Sequence, residues 1–241
     1  MNNLTGRVAT PITIHIIIIN ALLLLAHEVL KSRTGISLQN LLGLHYFEAA
    51  NHHWWQYFTY MFMHNDFWHL FNNMFSIFMF GRLMEQVWGE KRFIIYYLVT
   101  GIGAAIIQQL AWRYDMGQIV AEVTANYPNA GFTYDELIHN GIQTPSGHFF
   151  VSQLNTIGAS GSVFGILLAF GMMFPNATIY LMIPPIPLKA KWLVILYGLF
   201  ELTCGVYGFQ TGIAHFAHLG GMLFGFILIQ LWKQHRNTNF Q

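Results

Sequence analysis

Six stretches of this chain are apolar for long enough to cross a bilayer as helices. A hydrocarbon core takes about 20 such residues, within a range of roughly 17–25. The stretches are Ile12–Leu30, Phe67–Val87, Phe93–Trp112, Thr156–Phe174, Trp192–Phe209 and Ile213–Trp232. Polar positions inside them are few: His15, Asn20 and His27 in the first and Glu201 in the fifth, while Pro175 stops the fourth. The first stretch is long and no small-residue cleavage site follows it, so it reads as a retained anchor. Between the spans, Lys31–Asp66 is rich in aromatics (Trp54, Trp55, Tyr57, Phe58, Tyr60, Phe62) and is expected to lie in the outer headgroup layer, partly helical. Arg113–Asn155 carries Asp115, Glu122, Asp135 and Glu136, with Pro128 and Pro145 as breakers, and is expected to form an exposed outer lobe. Pro184, Pro185 and Pro187 make Pro175–Lys191 a stiff connection, because proline is excluded from helix interiors. The pattern predicts an all-α integral membrane protein, a single domain over residues 1–241 built as a six-helix bundle.

Composition supports this pattern. Hydrophobic residues make up 54% of the 241 and charged residues 9%, the latter against about 25% in soluble proteins. A disordered chain is thereby excluded and a soluble domain disfavoured. A formal net charge of +1 gives no bulk positive charge for gripping nucleic-acid phosphates, so the lipid bilayer and other membrane proteins are the expected partners. Cys204 is the single cysteine, which excludes an internal disulfide and a multi-cysteine metal site. Lysine and arginine collect on the cytoplasmic side of membrane proteins. With both termini inside, Arg7, Arg82, Lys91, Arg92, Lys189, Lys191, Lys233 and Arg236 face the cytoplasm, eight against three outside (Lys31, Arg33, Arg113). The expected setting is the inner (plasma) membrane of a bacterium, multi-pass, with both termini cytoplasmic.

In that topology the second, fourth and sixth spans all run inward, and each carries polar residues near its outer end: His69 and Asn73 with His64 at the mouth, Ser160, and His215 with His218. At 1.5 Å per residue, Ser160 and His218 both fall within about 10 Å of the outer hydrocarbon boundary. Polar groups inside a membrane usually face the bundle interior or a wet cavity. A serine becomes a nucleophile when a base takes its proton, and His218 suits that task near neutral pH. Acyl transfer also needs donors for the developing oxyanion. His69 and Asn73, four apart on one helix face, could supply them with the Ser160 backbone N–H. Gly161/Gly165 and Gly221/Gly225 form small-xxx-small faces that let membrane helices approach closely.

These residues resemble the motifs of the rhomboid family of intramembrane serine proteases. Gly158-Ala159-Ser160-Gly161 is similar to the family's serine motif, Ala217-His218-Leu219-Gly220-Gly221 to its helix-six histidine motif, and His64, His69 and Asn73 to its helix-two motif. Trp55-Gln56-Tyr57-Phe58-Thr59 resembles the family's W-R loop, with Gln56 where arginine is usual, and Gly81 to Gly89 with Glu85 resembles the inner end of helix two. The resemblance covers roughly residues 50–232 and implies a six-helix bundle that hydrolyses peptide bonds of transmembrane or membrane-tethered substrates. It implies Ser160 as nucleophile, His218 as general base, His69 and Asn73 as the oxyanion hole, and no metal or organic cofactor.

Other readings compete. Ser162 lies about 200° around the helix from Ser160 and reads as packing. His215 and His218, perhaps with His69, could ligate a metal, but no H-E-x-x-H occurs and no carboxylate is placed at matching depth by the sequence. His215 and His64 read as supporting residues. Glu201 is read as an internal hydrogen-bond partner rather than a catalytic group, so the expectation is a Ser160–His218 dyad without a third member. A non-catalytic, rhomboid-like binder of membrane proteins is the alternative function. A transporter fits less well, since its site belongs at the midplane of repeated, broken helices.

Overall fold

A computed structural model describes residues 11–126, 133–144, 147–149, 151–180, 186–208 and 214–238. The chain opens with α1 (Ile12–Thr34), a short α2 (Leu38–Leu42), β1 (Leu44–His45) and α3 (Gln56–Thr59), which runs into a 3-10 turn at Tyr60–Phe62. Then α4 (Phe67–Ser76), a π segment (Ile77–Gly81) and α5 (Arg82–Trp88) follow one another without a break. Next come α6 (Glu90–Asn126), α7 (Tyr134–Asn140), the hairpin β2 (Ile142–Thr144) and β3 (Gly147–Phe149), and β4 (Asn155–Thr156). The chain ends with α8 (Ser160–Met173), the hairpin β5 (Thr178–Tyr180) and β6 (Pro187–Lys189), α9 (Ala190–Tyr207) and α10 (His215–Thr238).

Among the described residues, α1, α6, α9 and α10 are long and apolar enough to cross a membrane by length and composition. Helix α8 is apolar but only 14 residues long, about 21 Å. Large apolar side chains are exposed along the outward faces, such as Leu22 and Leu25 on α1 and Phe67 and Trp68 on α4. Such surfaces belong in lipid, and the protein is an integral membrane protein.

Helix α10 packs on α6 and α8, and α8 packs on α6 and α9. The α8–α10 seam is the tightest of these contacts. A Cβ at Gly221 would overlap the Gly161 carbonyl group, so no larger residue fits without parting the helices. At the start of α1, Glu85 accepts from the Ile12 N–H (2.6 Å), the Thr13 N–H (3.1 Å) and Thr13 Oγ1 (2.9 Å). These are donors that a helix start leaves without an intrahelical acceptor, and the dipole there favours a carboxylate.

The outer connections are held by hydrogen bonds. Strand β1 pairs antiparallel with β4, Leu44 opposite Thr156 and His45 opposite Asn155. Gln56 is fully buried: its Oε1 accepts from the His45 and His53 N–H groups, and its Nε2 donates to the Asn51 and Leu41 carbonyls. A neutral amide thus does the anchoring in this loop. Glu48 accepts from Arg113 and from the Tyr134 and Tyr46 hydroxyls, tying the loop to α6 and α7.

Several boundaries differ from those expected. The third helix does not end at Trp112 but runs on to Asn126. Met116, Ile119 and Val120 repeat at helical spacing and join Leu137, Ile138 and Ile142 in the same apolar core as the bundle, so the start of the outer lobe is helix. The fourth helix begins at Ser160, not Thr156, because residues 155–156 are drawn into the β1 pairing. The proline-bearing connection forms the β5–β6 hairpin, with Pro187 in β6. Pro128, Pro145, Pro184, Pro185, Phe209 and Ile213 lie outside the described residues.

Candidate active site

Ser160 stands at the first position of α8, delivered by the segment that leaves β4. Gly158 has φ +127°, a conformation side chains rarely adopt, and a Cβ there would lie 2.7 Å from His69 Nε2. Its N–H donates to the Tyr60 carbonyl (2.9 Å), which pins the approach. The first intrahelical bond of α8 runs from the Val163 N–H to the Ala159 carbonyl (3.0 Å). The Ser160 N–H therefore precedes the ladder and has no intrahelical acceptor. Four residues inside a helix, as the sequence suggested, that N–H would have been spent on the ladder.

His218 lies one turn into α10, with Nε2 2.8 Å from Ser160 Oγ. Its Nδ1 is 2.9 Å from Glu201 Oε2, and His215 Nδ1 is 2.7 Å from the same oxygen. A carboxylate only accepts, so both Nδ1 atoms carry protons and donate. In the neutral ring, His218 Nε2 is then the acceptor that faces the serine hydroxyl. The Phe164 ring stacks on the imidazole, centroids 4.3 Å apart and planes within 7°.

Glu201 is only 5% exposed and lies directly beside His218, where the sequence reading placed no carboxylate. The acid and the histidine sit on α9 and α10, and the residues between those helices carry no pattern that reveals the pairing. The three donor atoms of Glu201, His215 and His218 lie within 4.8 Å of one another, a set of the kind that could hold a cation. Yet the two N···O separations are 2.7 and 2.9 Å. Around a tetrahedral zinc, ligand atoms stand about 3.3 Å apart, given bonds of about 2.0–2.1 Å. The spacing is that of hydrogen bonds.

His69 and Asn73 lie on α4 as their spacing predicts. Asp66 caps the helix, its Oδ1 accepting from the His69 N–H (2.9 Å). The Asn65 N–H donates to His69 Nδ1 (3.3 Å), so in the neutral ring the proton sits on Nε2, the atom turned toward Gly158. Asn73 Nδ2 donates one hydrogen to the His69 carbonyl (3.1 Å), which leaves its second amide hydrogen. His69, Asn73, Ser160 and His218 line one cavity of about 470 Å³, together with Gln39, Asn65, Asn72, Asn155, Thr156, Ile157 and Ala214.

The supporting residues also have defined places. His64, in the turn before α4, is fully buried with its ring 4.9 Å from that of His69. Burial first, and His69 second, push its pKa down to about 3, so it is neutral packing. Ser162 donates to the Tyr97 carbonyl (2.7 Å), an internal bond. In α1, Asn20 donates to the Ile16 carbonyl (2.7 Å) and His27 is fully buried. Sequence reasoning missed Phe164, whose stacking leaves no local trace, and the capping role of Asp66, which its position three residues before His69 does signal.

Comparison with known proteins points the same way. Residues 51–234 match the family model described as Rhomboid domain. The rhomboid protease AarA of Providencia stuartii is 24% identical over 177 residues, 73% of this chain and 54% of that protein. A Bacillus subtilis protein of the same family, YdcA, is 25% identical over 237 residues, 95% of this chain and 92% of that protein. The mitochondrial RHOMBOID-like protein 6 of Arabidopsis thaliana is 26% identical over 195 residues, 77% of this chain and 48% of that protein. The chain thus spans about half the length of two of these relatives and nearly all of the third.

Proposed function

The chain belongs to the rhomboid family, and from that premise we propose that it is an intramembrane serine endopeptidase. Its substrates are transmembrane or membrane-tethered proteins, cut in or near their membrane segments. The observation that carries the reading is the 2.8 Å contact between His218 Nε2 and Ser160 Oγ at the mouth of a cavity. Ser160 Oγ attacks the scissile carbonyl carbon while its proton passes to His218 Nε2. The carbonyl oxygen takes up negative charge facing the His69 Nε2–H, the Asn73 amide and the Ser160 N–H. The imidazolium then protonates the leaving amine, and an acyl-enzyme remains. Water entering the cavity gives a proton to His218 as it attacks the ester, and the imidazolium passes that proton to Ser160 Oγ as the ester bond breaks and the new carboxyl end leaves. The chemistry needs no metal or organic cofactor.

The proposed topology is six spans with both termini cytoplasmic, in a bacterial inner membrane. It is supported by the Lys/Arg asymmetry and by the gathering of Arg82, Lys91 and Arg92 around the α5–α6 turn, near the start of α1. In this topology the short α8 begins below the outer surface, with Ser160 inside the layer. A cysteine introduced at Tyr114 should react with an impermeant thiol reagent from outside. Reaction only after the membrane is broken would overturn the topology.

A fluorophosphonate probe tests the activity in detergent. The wild type should label and cleave a transmembrane model substrate, and Ser160→Ala should do neither. A wild-type protein that does not label, yet still captures membrane proteins, would be a binder and not a protease.

A further inference from the structure

We propose that Glu201 is a positioning residue for His218, so that a carboxylate shared with His215 completes a Ser160–His218–Glu201 triad. The proposal rests on the protease reading above. One oxygen, Glu201 Oε2, stands 2.9 Å from His218 Nδ1 and 2.7 Å from His215 Nδ1, and the carboxylate is only 5% exposed. An acidic side chain so placed in a membrane helix requires partners. Both partners here are imidazole N–H groups, one of them on the ring that contacts the serine.

The geometry constrains the ring in two ways. Phe164, stacked 4.3 Å away, sets the plane of the His218 imidazole. Glu201 sets the rotation within that plane and holds the proton on Nδ1, so that Nε2 is the atom with a lone pair toward Ser160 Oγ. When the serine proton moves to Nε2, the ring becomes an imidazolium. The positive charge then forms 2.9 Å from the carboxylate oxygen, which keeps its own charge and takes no proton. His215 donates to that oxygen and so draws some of its charge away from His218.

The groups around His218 are few among the described residues. Helix α8 presents Ser160 and Phe164, α9 presents Glu201, and α10 itself contributes His215. Helix α4 presents His69, and α6 meets the seam with the apolar Ala104 and Ile107 at Gly220. Glu201 is the acid in this set.

A staple between α9 and α10 would be the purely structural alternative, and the pH–rate profile separates the two. Probe-labelling rates and kcat are measured against pH for wild type, Glu201→Gln and His215→Leu, with thermal stability read in parallel. For Glu201→Gln we expect a loss of about 10²–10⁴-fold in kcat with KM little changed, since the amide can hold the wrong tautomer. The acid limb of its residual activity should move to lower pH by about 1–3 units. For His215→Leu the limb should move the opposite way, because Glu201 then turns its whole charge on His218. A folded Glu201→Gln protein with wild-type kcat and an unmoved limb overturns the proposal. Should Glu201→Gln not fold, His215→Leu decides: an upward shift supports the triad and an unmoved limb overturns it. A wild type that never labels overturns the protease reading itself and the triad with it, a result distinct from both.

Discussion

Among the described residues two carboxylates are buried, one at each end of the bundle, and they sit in different company. Glu85 is 4% exposed and accepts from the Ile12 and Thr13 N–H groups and the Thr13 hydroxyl. Glu201 is 5% exposed and accepts from two imidazoles. The partners of Glu85 do not titrate, and that carboxylate caps a helix and joins α1 to α5. The partners of Glu201 can gain protons, and one of them touches a serine beside a cavity. Equal burial therefore serves architecture in one place and, in the proposed function, chemistry in the other, and the nature of the donors tells them apart.

Substitutions should divide along the same line, with losses of rate at the Glu201 end and losses of stability at the Glu85 end. The largest effect should come from the reacting pair. Ser160→Ala and His218→Ala should each abolish substrate cleavage and probe labelling while thermal stability stays close to wild type. Groups that act as a unit are not additive, so the double variant should be little worse than either single one. A His218→Ala protein labelled at the wild-type rate would mean that another base serves Ser160.

The proposed oxyanion donors come next. His69→Ala and Asn73→Ala should each lower kcat by about 10²–10³-fold, the usual cost of one such donor. The losses fall at the low end of that range if the Ser160 N–H carries most of the oxyanion. A double variant with unchanged cleavage would remove both residues from the mechanism.

At the other end, Glu85→Gln should keep kcat within a few-fold of wild type and lower the melting temperature. Hydrogen bonds to a charged group contribute about 1.5–3 kcal/mol, and the amide retains part of this as an acceptor. A variant that loses activity without losing stability would break the contrast between the two acids.

The smallest effect concerns His64 and pH. Its pKa is about 3 in the folded protein, well below the usual value of 6.5. As pH falls below about 6.5, the unfolded chain binds a proton at this position that the folded one refuses. Stability should therefore decline between about pH 6.5 and pH 3, by up to about 1.4 kcal/mol per unit from this residue. Replacing His64 with leucine should flatten that slope in a detergent melt followed against pH, while the reaction chemistry at Ser160 is left in place. An identical slope in the variant would mean that other groups govern acid sensitivity.

The sequence alone determined the membrane character, the approximate places of the apolar helices and four of the residues that line the cavity. These are local properties. Apolar length marks a span, a spacing of four puts His69 and Asn73 on one face, and the glycines of α8 and α10 announce close contact before their partners are known. What tertiary structure decided was adjacency. The antiparallel pairing of β1 with β4 draws residues 155–156 out of the helix, and only so does Ser160 open α8 with its N–H outside the ladder. The apolar packing of Met116, Ile119 and Val120 carries α6 beyond its expected end. Glu201 meets His218 because α9 and α10 dock at one rotation and one height, a relation set by side chains packing across the interface. Periodicity along a single helix carries no information about that register, so the partner of His218 stayed hidden until the helices were seen side by side.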